Sequence, residues 1–138
     1  MKILPALKYL MVFFLFTAMS CKEVVVDKNT FKIGRESTFR INQIYTSTDG
    51  QYTLQITKIG DSRCPTGAVC DWQGEITLKG EWTDNKVKTA IELYSVGKAT
   101  EKQPTGFNIQ IVNAKPFPVV GTETKPEDLM VTLLIEKK

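Results

Sequence analysis

Gln51-Tyr52-Thr53-Leu54-Gln55-Ile56-Thr57 reads as a β-strand from its pattern alone. In an extended chain Tyr52, Leu54 and Ile56 fall on one face. Gln51, Thr53, Gln55 and Thr57 fall on the other. Such strict alternation fits an antiparallel sheet with one wet face. Thr48-Asp49-Gly50, just upstream, is a turn signal. Before it, Ser37-Thr38-Phe39-Arg40-Ile41 is a predicted strand that runs on through Ile44-Tyr45.

Downstream the period of two returns. Glu75 to Trp82 alternates, Thr83-Asp84-Asn85 turns, and Val87 to Tyr94 forms the next strand with Ile91 and Leu93 inward. Val96 to Gly106 is turn-rich. Phe107 to Ile111 alternates again, until Pro116 and Pro118 deny further ladder donors. Gly121 to Asp128 is polar loop. Leu129 to Ile135 is apolar enough to be covered on both faces near its middle. Six to seven close-spaced strands without helical periodicity predict an all-β domain over residues 31–138. Two architectures fit: a small antiparallel β-sandwich, immunoglobulin-like in the loose sense, or a closed β-barrel.

Between two of these strands lies Asp61-Ser62-Arg63-Cys64-Pro65-Thr66-Gly67-Ala68-Val69-Cys70-Asp71-Trp72-Gln73-Gly74-Glu75. In an oxidising compartment Cys64 and Cys70 are expected to pair. So short a loop removes little chain entropy, about 2–3 kcal/mol by the loop-entropy model. Its main effect is local, pinning a turn at Pro65-Thr66-Gly67, where Pro65 presets φ and Gly67 permits a positive one. The loop is either a structural staple or a rigid display surface pre-organised for binding. In the second reading the contact residues are Arg63, Pro65, Thr66, Gly67 and Val69, with Trp72 supporting them from a core or half-core position. Arg63 either shapes the loop through Asp61 or Asp71 or points outward as a contact.

Residues 1–20 read as an export signal. Lys2 and Lys8 form its positive region and Leu10 to Phe16 its apolar stretch, too short for a stable membrane-spanning helix. Thr17-Ala18-Met19-Ser20 before Cys21 resembles the lipobox of bacterial lipoproteins, in the looser form of Bacteroidetes-type chains. The resemblance implies a lipid on Cys21, palmitate among its acyl groups, with residues 21–30 as anchor and tether. Val24-Val25-Val26 is a short strand in the alternative. Of three cysteines in an exported chain, lipidation of one leaves the other two to pair.

The central stretch also resembles the D-x-R-C-P-x-G-x-x-C-x-W-x-G-E signature of small, uncharacterised bacterial lipoproteins. Pro116-Phe117-Pro118 and the Asp128-Leu129-Met130-Val131-Thr132-Leu133 strand extend the likeness. It implies a fold and a place, the cell envelope and the outer membrane of a Gram-negative bacterium. It implies no activity.

Composition narrows the chemistry. There is no histidine, which excludes Ser-His-Asp and Cys-His catalysis and any His-ligated metal. Two thiols alone cannot fill a zinc site. Asp61, Asp71 and Glu75 lack EF-hand spacing, so no metal or cofactor is implied. Lys2 and Lys8 fall in the leader, leaving 16 basic against 15 acidic side chains in residues 21–138, so no basic patch suggests nucleic acid. The expectation is a lipid-anchored envelope module, binding or structural, not an enzyme. Its partners are the membrane through Cys21 and an envelope protein or small ligand at the Cys64–Cys70 loop. Two alternatives stand beside it: a protease-inhibitor-like protein presenting the same loop, and a histidine-free hydrolase, although Glu75, Glu81 and Glu92 are scattered over strands and turns and nothing sets any two of them as a catalytic pair. Chain extracted from membranes is expected to lack residues 1–20 and to exceed the bare peptide mass by a lipid. Intact-mass spectrometry checks this, and an unmodified Met1 would refute it.

Overall fold

The computed structural model describes residues 29–98 and 101–138. The leader, Cys21 and Val24-Val25-Val26 lie outside the described residues. Eight strands form two sheets: β1 Thr30–Phe31, β2 Glu36–Arg40, β3 Ile44–Ser47, β4 Tyr52–Asp61, β5 Ile76–Asp84, β6 Val87–Tyr94, β7 Phe107–Lys115 and β8 Met130–Lys137. A five-stranded sheet has the order β1-β3-β4-β5-β6, and a three-stranded sheet the order β2-β8-β7. The two face each other as a sandwich and do not close into a barrel. The β-barrel expectation is thereby set aside, and the strand number exceeds the expected six to seven.

Two expected boundaries move. Phe31 is buried, and the Asn29 carbonyl accepts from the Thr46 N–H at 2.9 Å. Thr30, assigned to the tether, therefore begins the large sheet, with β1 parallel to β3. The run from Ser37 to Tyr45 is two strands in different sheets. It breaks at Asn42, which has φ 61° and donates its N–H to the Ile56 carbonyl at 2.8 Å. Asparagine tolerates that left-handed backbone better than most residues.

The β3–β4 hairpin is built by its turn chemistry. Asp49 Oδ1 accepts from the Ser47 hydroxyl and from the Gln51 N–H, while Ser47 Oγ accepts from the Tyr52 N–H. The Ser47 hydrogen bond, helped by Gln51, holds the Asp49 carboxyl below the usual carboxylate range. On the far edge of the sheet Glu92 is likewise lowered, first by Lys79 and then by the Tyr94 hydroxyl.

The core lies between the sheets. Tyr52, Leu54 and Ile56 of β4 face it, with Ile76, Leu78 and Trp82 of β5 and Ile91 and Leu93 of β6. From the small sheet come Phe39, Phe107, Ile109, Val131, Leu133 and Ile135. Met130, Thr132 and Leu134 on the outer side of β8 are half-buried, so only one face of that strand is fully covered, against the expectation of two. Trp82 is the largest core side chain. Its ring lies 5.9 Å from Phe31, 5.3 Å from Tyr52 and 4.8 Å from Phe107, so it joins both sheets.

Each sheet carries one bulge. In β4 the register slips at Thr57, and in β7 at Val112. Each extra residue shifts the inward phase by one. Thus Ile59, not Lys58, is buried after Thr57, and Ala114, not Asn113, after Val112.

Leu54→Ala is expected to lower stability by about 2–5 kcal/mol. Val87→Ala, on an exposed side chain, is expected to change it by no more than about 0.5 kcal/mol. Urea midpoints check both, and equal midpoints would contradict the assigned core.

Candidate functional site

The loop from Ser62 to Glu75 connects two neighbouring antiparallel strands, β4 and β5. Its stem prolongs their ladder. The Ser62 N–H donates to the Glu75 carbonyl at 2.9 Å, and the Cys64 N–H to the Gln73 carbonyl at 2.8 Å. The Ser62 hydroxyl adds a bond to the Glu75 carbonyl and accepts from the Glu75 N–H. Gly74 makes this close approach feasible. It has φ +71°, and a Cβ there would stand 1.8 Å from the Ser62 carbonyl oxygen.

Beyond the stem, Cys64 and Cys70 are joined by a disulfide across a Cα–Cα distance of 6.0 Å. Inside it the Ala68 N–H donates to the Pro65 carbonyl at 3.1 Å, with Gly67 at φ +93°, the backbone that a tight turn demands at that place. Pro65 is half-buried; Thr66, Gly67 and Val69 are exposed.

The bulge at Thr57 sets the position of Arg63. It turns Asp61 onto the same face as buried Ile59, and both side chains of the Asp61–Arg63 pair are only 12% exposed. Arg63 Nε donates to Asp61 Oδ1 at 2.8 Å and Nη2 to Oδ2 at 2.6 Å, a two-pronged pair. Nη1 donates to the Ala114 carbonyl at 2.7 Å and Nη2 also to that of Pro116 at 2.9 Å. The guanidinium carbon lies 4.6 Å from the centre of the Phe117 ring. Arg63 therefore fastens the end of β4 to the segment that leaves β7. It is a clamp with its donors in use, not an outward contact, and its carboxylate partner is Asp61.

The same two segments are joined a second time. The Thr66 N–H donates to the Pro118 carbonyl at 2.9 Å, and the Val120 N–H to the Thr66 carbonyl at 3.2 Å. Gly67 lies against the Val120 side chain. Loop 64–70 and segment 116–120 thus form one tip at one end of the sandwich.

Trp72 is 59% exposed, not the core or half-core support expected for it. It lies past the last ladder rung at Cys64 and Gln73, beyond the reach of the buried layer, while Trp82 holds the core position. Val69, Phe117, Val119 and Val120 are exposed as well. Sequence reasoning missed Phe117, Val119 and Val120 as site residues. A signal existed in the apolar residues interleaved with Pro116 and Pro118, which cannot hide in a sheet interior.

Three glutamates, Glu75, Glu81 and Glu92, each face a lysine. Glu75 is buried, and its Oε1 accepts from Lys98, whose ammonium lies 4.5 Å from the Tyr94 ring centre. Lys98 itself stays exposed while it reaches Glu75. Glu81 pairs with Lys88 at 2.7 Å and Glu92 with Lys79 at 3.0 Å.

Arg63→Met would leave the half-buried Asp61 without its partner and is expected to cost about 2–4 kcal/mol. Trp72→Ala is expected to stay within about 0.5 kcal/mol of the parent. Urea denaturation of both variants checks the order, and its reversal would make Trp72 the structural residue. No protein-family model, curated protein or solved structure matches the chain.

Proposed function

We propose that this protein is a lipid-anchored domain of the cell envelope, not an enzyme, and that it acts by presenting the tip built from loop 64–70 and segment 116–120 as a contact surface. The lipobox-like residues before Cys21 and the D-x-R-C-P-x-G-x-x-C-x-W-x-G-E signature support the anchor, the export and a Gram-negative outer-membrane setting. One observation carries the contact surface. Four exposed large apolar side chains, Val69, Phe117, Val119 and Val120, belong to loop 64–70, which the disulfide closes, and to segment 116–120, which Arg63 and the Thr66 hydrogen bonds hold against it; exposed Trp72 follows the loop directly. Clustered exposed apolar groups mark interaction sites. Rigid ones bind with less ordering cost.

A protease-inhibitor-like role is the second reading. Val69 favours it, because this side chain stands fully in solvent between the two bridged cysteines. Inhibition of envelope proteases that disappears on reduction of the disulfide would support it. A hydrolase has less support, since Glu75, Glu81 and Glu92 each face a lysine.

A photo-crosslinking residue placed at Val69 or Val120 in living cells is expected to give adducts. The same probe at Val87, exposed in the β5–β6 hairpin at the opposite end, is expected to give none. Equal yields from all three positions would remove the tip as the contact surface.

A further inference from the structure

We infer that the Cys64–Cys70 disulfide is a redox-operated latch on the tip: a dithiol that reduces it frees Val69, Cys70, Asp71 and Trp72 while the sandwich and the rest of the tip stay in place. The consequence for contact rests on the reading of the tip given above. The release itself rests on geometry, and three observations carry it.

The first is a division of labour within the loop. Its stem is held without the disulfide. Ser62 pairs with Glu75 and Cys64 with Gln73 through their backbones, and Arg63 reaches Asp61, Ala114 and Pro116. The next residues are tied as well. Thr66 donates to Pro118 and accepts from Val120, and the Ala68 N–H donates to the Pro65 carbonyl. Val69 to Trp72 have no such ties. Among the described residues these four make no hydrogen bond, ion pair or ring contact, apart from the disulfide at Cys70.

The second is separation from the core. Both cysteines lie between the end of β4 at Asp61 and the start of β5 at Ile76. The buried layer consists of residues such as Leu54, Leu78 and Trp82, and neither cysteine belongs to it. Loss of the bond therefore leaves the apolar cohesion of the two sheets untouched.

The third is access. Cys70 is exposed and Cys64 is half-buried. A thiolate arriving from solvent meets the Cys70 sulfur first. Its attack forms a mixed disulfide at Cys70 Sγ and breaks the bond to Cys64, which leaves as a thiolate and takes a proton from water. The Cys64 Sγ lies 3.9 Å from the carbonyl oxygens of Pro65 and Ala68, two acceptors for the new S–H. The second thiolate of the reductant then displaces Cys70, which is protonated in turn. Two electrons pass from the dithiol to the bridge; the dithiol becomes a disulfide and both cysteines become thiols. While the bond is closed it limits where Val69 and Trp72 can go, so they meet a partner at little ordering cost. Once it is open that cost rises, and contact at the tip weakens.

Nuclear magnetic resonance of the full chain, oxidised and then treated with dithiothreitol, tests the latch. Backbone order parameters at residues 69–72 are expected to stay above about 0.6 in the oxidised chain and to fall below it on reduction. The Arg63 Nε–H and Trp82 indole N–H signals are expected to keep their positions, and reoxidation to restore the first spectrum. Collapse of the Trp82 signal would make the disulfide a staple of the whole fold and overturn the inference. Unchanged order at residues 69–72 would overturn it too, as would a bridge that dithiothreitol fails to open without denaturant. Contact is scored separately, by photo-crosslinking at Val120 in the parent chain and in Cys64→Ser with Cys70→Ser, shown folded by circular dichroism. The double variant is expected to lose adducts several-fold. Equal yields overturn redox control of contact. No adducts from either chain remove the contact reading, while the resonance data still decide the latch.

Discussion

Trp82 is the contact on which the sandwich depends. Its ring meets Tyr52 and Phe31 of the large sheet and Phe107 of the small one, and Phe31 carries the contact on to Phe39 at 5.8 Å. Each such ring buries on the order of 150–250 Å², and tilted or offset pairs add about 0.5–1.5 kcal/mol beyond that burial. Two sheets of unequal width are thereby fused near the hairpin end. With the apolar core supplying cohesion there, the opposite end can be built from polar clamps and exposed loops.

At that opposite end the physics changes from apolar contact to directed hydrogen bonds. Arg63 reaches from the end of β4 to carbonyls that follow β7, and Asp61 balances its charge. Buried charges are tolerated when they are paired and hydrogen-bonded. The two bulges make this geometry available. Thr57 turns Asp61 inward, and Val112 re-phases β7 so that Ala114 sits in the core with its carbonyl toward Arg63. Gly74 lets the loop stem close against Ser62. The disulfide then closes loop 64–70, and the hydrogen bonds of Thr66 to Pro118 and Val120 hold it against segment 116–120.

The tip was only half legible in the sequence. Cys64, Cys70, Pro65 and Gly67 announce a constrained turn by their chemistry. Trp72 reads as core because tryptophans beside disulfides commonly pack inward. Here it lies outside the last ladder rung, and Trp82, ten residues on and within β5, takes that role. Arg63 reads equally well as a contact or a clamp, since its partners at Ala114 and Pro116 are about fifty residues away. Phe117, Val119 and Val120 carry no sign of belonging with Thr66, because no local pattern encodes that bridge.

By itself the sequence determined the class of fold and most strand positions. Period-two alternation from Tyr52 to Ile56 and from Phe107 to Ile111 needs nothing but the geometry of an extended chain and the avoidance of water. Turn chemistry at Asp49-Gly50 and Pro65-Thr66-Gly67 is equally local. Only the tertiary structure decided which sheet each strand joins, that β2 and β3 part at Asn42, and that the assembly is an open sandwich. It also decided that Arg63 points inward, that Trp72 points outward, and that loop 64–70 meets segment 116–120. These outcomes depend on single-residue bulges and on contacts between distant segments. Periodicity marks neither, because a bulge changes the facing of every residue after it without changing the character of any one.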